Sequence, residues 1–248
     1  NTMATQVDTL IHARWVIPIR PEKIVLENHS LAIKDGKIFD ILPTDQAKTK
    51  YASQKTFNMD KDHALIPGLI NCHCHTAMSL LRGFADDVVL LDWLMHYMWP
   101  AEGKFVSDEF VSIGTRLTVT ELIQCGVTCV NDMYFFPGTS AEVIENAGIR
   151  ASVGIPVLQF PTAWASTPDD YFNKGVSLLE KYKNHPTIQV FMAPHAPYTV
   201  DDVLFKRIKE TAEKYDTKIH IHVHETQKEV EDHIQAHSKR PIQRLDEL

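Results

Sequence analysis

Two histidines stand two residues apart, His73 and His75, at the end of an apolar run that begins at Leu69. On a strand, residues two apart project to the same face, so both imidazoles can reach one ion. Side-by-side imidazoles suit a divalent metal of borderline softness. The bland alternative is two buried histidines, each hydrogen-bonded to a neighbour. The histidines that follow argue against it: His195, then His220, His222 and His224, with Glu225 beside them. A carboxylate beside a metal site can take a proton from water and hand it to a leaving group. Glu225 can equally cap the helix expected from Gln227, because negative charge is favourable at a helix N-terminus. Alternation leaves open which of His220, His222 and His224 meets the metal, since all three share a face. His195 lies in Pro194-His195-Ala196-Pro197-Tyr198, where two prolines stiffen the loop. It could be a third ligand, a hydrogen-bond donor to substrate or a satisfied loop histidine. Cys72, His73, Cys74 and His75 do not read as a zinc finger, because successive strand residues point to opposite faces.

These residues need elements that bring them together. The chain opens on β structure over Asp8–Pro18 and Ser30–Leu42, where Asp35-Gly36 between two apolar runs signals a hairpin. A polar stretch, Thr44–Asp62, follows, and the domain boundary is expected near Asp62. This divides the chain into a small β domain, 1–62, and a larger domain, 63–248. In the larger one, strands alternate with helices. Strands are expected at Leu69–His75, Val127–Tyr134, Ile149–Leu158, Ile188–Pro194 and Lys218–His224. Ser107-Asp108 caps a long amphipathic helix that Gly126 stops. Such alternation implies a parallel sheet with crossover helices, either an open doubly wound sheet or most of a (β/α)8 barrel. Four of the five strands end in chemically capable residues: His73 and His75, then Asn131, Asp132 and Tyr134, then His195, then the histidines up to His224 with Glu225. A (β/α)8 barrel builds its active site from those strand ends.

Composition sets outer bounds. The 248 residues carry a formal charge of −7, with 44% apolar and 23% charged residues. No basic stretch stands out, which speaks against nucleic acid as a partner. The longest apolar runs, such as Val88–Leu91, are too short to span a bilayer. Four cysteines do not suggest a disulfide framework. Reduced cysteines, packed as small hydrophobes, point to a cytoplasmic location.

The stretch Ile66-Pro67-Gly68-Leu69-Ile70-Asn71-Cys72-His73-Cys74-His75-Thr76-Ala77-Met78 resembles the signature of the amidohydrolase superfamily. Leu80-Leu81-Arg82-Gly83 and Trp99-Pro100-Ala101-Glu102 narrow the resemblance to the branch holding 5′-methylthioadenosine/S-adenosylhomocysteine deaminases and triazine hydrolases. Asp132-Met133-Tyr134-Phe135, Pro194-His195-Ala196-Pro197-Tyr198 and His222-Val223-His224-Glu225-Thr226 are similar to that branch too. The resemblance runs in order from about Asp8 to the end. It implies a TIM-type (β/α)8 barrel beside a small β-sandwich-like domain. It implies His73, His75 and His222 as ligands of one divalent ion, with zinc the first choice. It implies Glu225 as the proton shuttle, His195 as a contact to the purine ring and Glu102 as the acceptor for ribose hydroxyls. A homo-oligomer would also fit.

The activity implied is hydrolytic deamination of an adenine nucleoside (5′-methylthioadenosine, S-adenosylhomocysteine or adenosine) to the inosine analogue and ammonia. A triazine hydrolase or guanine-type deaminase on the same scaffold is the runner-up. Glu102 favours a nucleoside, because a free base has no ribose to hold. A non-catalytic barrel relative used for assembly is the reading from another class. It should have lost ligands, whereas His73, His75, His222 and Glu225 stand together here. The resemblance further implies a later histidine and a metal-binding aspartate that this chain does not match. The region after Asp62 is also shorter than the about 250 residues such a barrel typically takes. The expectation is therefore a barrel cut after about five units, with the natural protein continuing past Leu248.

Overall fold

The computed structural model describes residues 3–248, which divide into two compact units at Gly68–Leu69. The first holds β1 (Thr5–Val16), β2 (Leu26–Lys34), β3 (Lys37–Pro43), α1 (Thr44–Lys50) and β4 (Tyr51–Leu65). Asp35 and Gly36 join β2 to β3 with φ of 52° and 70°, the two positive values that a tight hairpin turn of this twist requires. The sheet order is β3-β2-β1-β4, with β4 parallel to β1 and the other pairs antiparallel. Val7, Leu10, Ala32, Leu42, Ala47 and Tyr51 form its core. The polar stretch after Thr44 thus contains a helix and a full strand. Most of β4 faces solvent, so its sequence lacks the apolar alternation that would announce it.

The second unit is an α/β arrangement around a parallel sheet ordered β5-β6-β7-β8. The strands are β5 (Leu69–Cys74), β6 (Val127–Met133), β7 (Arg150–Val157) and β8 (Ile188–Pro194). Between β5 and β6 lie a 3-10 helix (Thr76–Leu81), α2 (Leu90–Trp93), a π-helical turn (Leu94–Met98), α3 (Trp99–Phe105) and α4 (Asp108–Gln124). Then α5 (Pro137–Ala147), α6 (Pro168–Lys181) and α7 (Asp202–Lys214) follow β6, β7 and β8 in turn, and α8 (Gln227–His237) and α9 (Pro241–Glu247) close the unit. Ser107 caps α4 by accepting from the Phe110 amide, as its sequence position predicts. The polar segment after Ser238 contains α9.

The core explains the order. On β7, Val153, Ile155 and Val157 are fully buried, the continuous apolar run of a parallel strand covered on both faces. Each contributes about 1.5–3 kcal/mol by leaving water. β5, by contrast, is the edge strand of this sheet beside β6, and its Leu69 and Ile70 are exposed. Its C-terminal end is nevertheless held closely. At Gly114 of α4, a Cβ would lie 2.4 Å from the carbonyl oxygen of Ala77, so only glycine lets the helix pack against the turn that follows His75.

The expected fifth strand, Lys218–His224, is not formed as a regular strand. One isolated parallel bridge, Met192 to Ile219, remains. The amide of Met192 donates to Lys218 and that of His220 to Met192, but the His222 amide donates to His195. Pro194 has no N–H to continue the ladder, so the pairing slips by one residue and stops.

Candidate metal centre and active site

The ends of β5 and β6, together with the segment beside β8, bring three imidazoles together. Among the described residues, His73, His75 and His222 form a group whose ligand atoms all lie within 4.8 Å of one another and could hold a metal ion. His75 donates from Nδ1 to the carbonyl of Met133 at 2.6 Å. His222 donates from Nδ1 to the carbonyl of His195 at 2.7 Å, and its backbone amide reaches the same oxygen at 3.2 Å. Carbonyl oxygens only accept, so both rings carry their proton on Nδ1. Their Nε2 atoms, 3.1 Å apart, therefore present lone pairs to each other.

Two facing lone pairs call for a cation between them. A shared proton would make one ring an imidazolium, which burial opposes: it pushes the His75 imidazole down to about 4. A divalent ion meets the need without that penalty. Nitrogens of a tetrahedral zinc site, each about 2.0–2.1 Å from the ion, stand roughly 3.4 Å apart. The donor set, with His75 and His222 each anchored from behind by a carbonyl, fits such an ion. His73 is more exposed, and its Nδ1 lies 3.0 Å from Nε2 of His220.

The histidines around residue 222, equivalent by alternation, are separated by the structure. His222 faces His75, and His220 faces His73 and packs edge-on to Phe191. His224 accepts from the Ile242 amide at 3.3 Å. The expectation that all three share a face fails, because His224 has φ +58° and ends the alternation. Cys74 contributes no ready thiolate, since burial pushes its thiol up to about 12.

A cavity of about 410 Å³ opens beside this group. His75, His195, His222, Glu225 and Glu102 all line it. Trp93, Leu94, Met98, Trp99 and Phe160 supply apolar wall. The π-helical turn carries Leu94 and Met98 there, an irregularity that recurs at functional sites. His195 is fixed by Thr199, whose hydroxyl lies 2.9 Å from its Nδ1, and burial pushes its imidazole down to about 3. Glu102, on α3, accepts from the hydroxyl of Tyr134 at 2.7 Å, and burial holds its carboxyl above the usual range. Glu225 is not the cap of α8: that role falls to Thr226, whose side chain accepts from the Glu229 amide. Beside Glu225 stands Tyr198, whose phenol is pushed up by burial and then by the Glu225 and Glu229 carboxylates.

Several participants were not assigned from the sequence. The carbonyls of Met133 and His195 have no side-chain signal. Tyr134 and Asp132 were recognised only as strand-end residues. The Thr226-x-x-Glu229 spacing is a capping-box pattern and was the one available sign of Glu229. Asp132 is fully buried, and its Oδ1 accepts from the Thr76 amide at 2.7 Å, tying down the residue after His75.

The family model described as Amidohydrolase family matches residues 64–248. The chain belongs to the amidohydrolase family. This amidohydrolase chain is 43% identical over 247 residues to a 5-methylthioadenosine/S-adenosylhomocysteine deaminase of Saccharophagus degradans, covering 100% of this chain and 55% of that relative. It superposes with a TM-score of 0.96 on an adenosine deaminase from Xanthomonas campestris solved with bound zinc, at 43% identity over 99% of this chain and 56% of that one. A triazine hydrolase from Arthrobacter aurescens shares the fold with a TM-score of 0.85, at 19% identity over 96% of this chain and 57% of that one. The chain thus spans about half the length of the curated relatives it matches. No helix among its described residues is long and apolar enough to cross a membrane.

Proposed function

We propose that this amidohydrolase chain belongs to a metal-dependent deaminase that converts an adenine nucleoside (5′-methylthioadenosine, S-adenosylhomocysteine or adenosine) to its inosine analogue and ammonia. The observation that carries the reading is one cavity lined by two of the clustered imidazoles, by Glu225 and by the half-buried Glu102. The names of the two relatives at 43% identity support the same class of substrate. The parallel sheet is read as part of a (β/α)8-type barrel, consistent with its crossover helices and with functional residues at the C-terminal strand ends.

His73, His75 and His222 would hold one divalent ion, with zinc the first choice for an all-imidazole set. When bound, such an ion supplies Lewis acidity that makes an attacking water more acidic. The chain's own residues do the rest. Glu225 takes a proton from the water as its oxygen bonds to C6 of the purine, and the ring passes through a tetrahedral centre. Glu225 then returns a proton to the exocyclic nitrogen, the C6–N bond breaks and ammonia leaves. His195 contacts the purine ring, and its bond to Thr199 fixes the imidazole for that contact. Glu102 accepts from the ribose hydroxyls, with Tyr134 occupying one carboxylate oxygen and orienting the other. The apolar wall excludes water around the base and its 5′ substituent.

A substrate panel on the full-length protein tests this. Adenosine, 5′-methylthioadenosine and S-adenosylhomocysteine are expected to release ammonia. Turnover of guanine alone, or chloride release from a chlorotriazine alone, would overturn the nucleoside assignment.

A further inference from the structure

Between His222 and Glu225 the chain makes a turn whose pivot is His224, at φ +58°. A residue with a Cβ adopts this conformation only where its surroundings enforce it. Here one side chain holds the backbone of the turn. Glu229 is buried, 9% exposed, and its carboxylate spans two consecutive amides. Oε1 accepts from the His224 N–H at 3.0 Å, and Oε2 accepts from the Glu225 N–H at 2.7 Å. Holding both amides fixes both peptide planes of the turn.

Glu229 is well placed to act as that clamp. It sits in the first turn of α8, where the helix macrodipole favours a carboxylate. Its own amide donates to the Thr226 hydroxyl at 3.1 Å, which ties it to the start of the helix. In an ordinary capping box, a glutamate at this position would return to the amide of the capping residue itself. Glu229 instead reaches past Thr226 to the two residues that form the turn, so helix capping alone does not account for it. With one N–H at each oxygen, the arrangement suits a carboxylate, whereas a carboxamide would set its own NH2 donor against one of the two amides.

We propose that Glu229 is a positioning residue for Glu225: by clamping the left-handed turn at His224, it aims the Glu225 carboxylate into the cavity that His75, His195 and His222 line. The proposal rests on the reading of Glu225 as the proton carrier.

The test compares Glu229→Gln with Glu225→Gln in the full-length protein, measuring metal per chain, melting temperature, KM and kcat with an adenine nucleoside. Glu229→Gln is expected to keep the metal and KM and to lower kcat by up to about 100-fold, the cost of a misplaced reacting group. Adding His224→Gly should recover part of that loss, because glycine takes a positive φ without steric cost. If Glu229→Gln does not fold, Glu229→Asp carries the same test. It keeps the charge but withdraws the carboxylate by one methylene, so the same kcat loss is expected. A lowered melting temperature with wild-type kcat per metal-loaded chain would mean Glu229 is merely structural, and the inference falls while an inactive Glu225→Gln leaves the proton-carrier reading standing. Full turnover in Glu225→Gln would overturn that reading and the inference with it.

Discussion

Nε2 of His75 and Nε2 of His222 lie 3.1 Å apart although 147 positions separate them in the chain. Each ring is turned by a carbonyl behind it, Met133 for His75 and His195 for His222, so that its lone pair faces the other. With His73 they form a group whose ligand atoms lie close enough together to hold one metal ion.

Replacing His73 or His75 with Ala is expected to bring metal per chain down to background, since each supplies a neutral imidazole that alanine lacks. Elemental analysis of the purified variants checks this. Full occupancy in His73→Ala would remove it from the ligand set.

Glu225→Gln is expected to bind metal and fold normally but to lose turnover. An amide cannot accept a proton and return it, and such catalysis typically contributes ~10²–10⁴-fold. Because Thr226 caps α8, the substitution should leave the melting temperature close to that of the wild type. A near-normal kcat would show that the proton travels by another group.

Glu102→Ala should weaken a nucleoside far more than its free base, by on the order of 1–3 kcal/mol for the unpaired ribose hydroxyls. Competitive inhibition constants for a nucleoside and for its base, on wild type and variant, give the comparison. Equal losses on both would place Glu102 outside the ribose site.

Asp132 predicts a pH dependence of stability. Burial pushes its carboxyl up to about 6, against hydrogen bonds from Thr76 and Ser140 that lower it. A carboxyl raised on folding stays protonated in the folded chain where the unfolded chain has already ionised it. Its stabilising contribution is thus complete below the unfolded value of about 4 and is lost as pH rises through about 6. At about 1.36 kcal/mol per pH unit, the loss is on the order of 3 kcal/mol. In urea unfolding, the wild type should lose stability relative to Asp132→Asn between about pH 4 and about pH 6. Parallel curves for the two proteins would contradict this.

Much of the site was legible because its chemistry is written in residue type and local spacing. His73-x-His75 predicts two imidazoles on one face, and Asp35-Gly36 predicts a hairpin; both depend on backbone geometry within a few residues. Helix α4 was legible too, since Ser107 and Gly126 mark its ends by capping and a left-handed turn. Strand β4 was not, because a solvent-facing strand carries no apolar alternation.

What the sequence determined by itself is the set of donors: the imidazoles, the carboxyl groups of Glu102 and Glu225, and the strand ends from which they project. Which of them meet was decided only by the tertiary structure. His222, and not His220 or His224, faces His75, because its ring and amide both engage the His195 carbonyl, and because Pro194 interrupts the ladder that would have made the three equivalent. Backbone carbonyls have no sequence signature, and a missing N–H acts through the partner strand it fails to hold. These are long-range relationships, and they exist only once β5, β6 and β8 lie side by side.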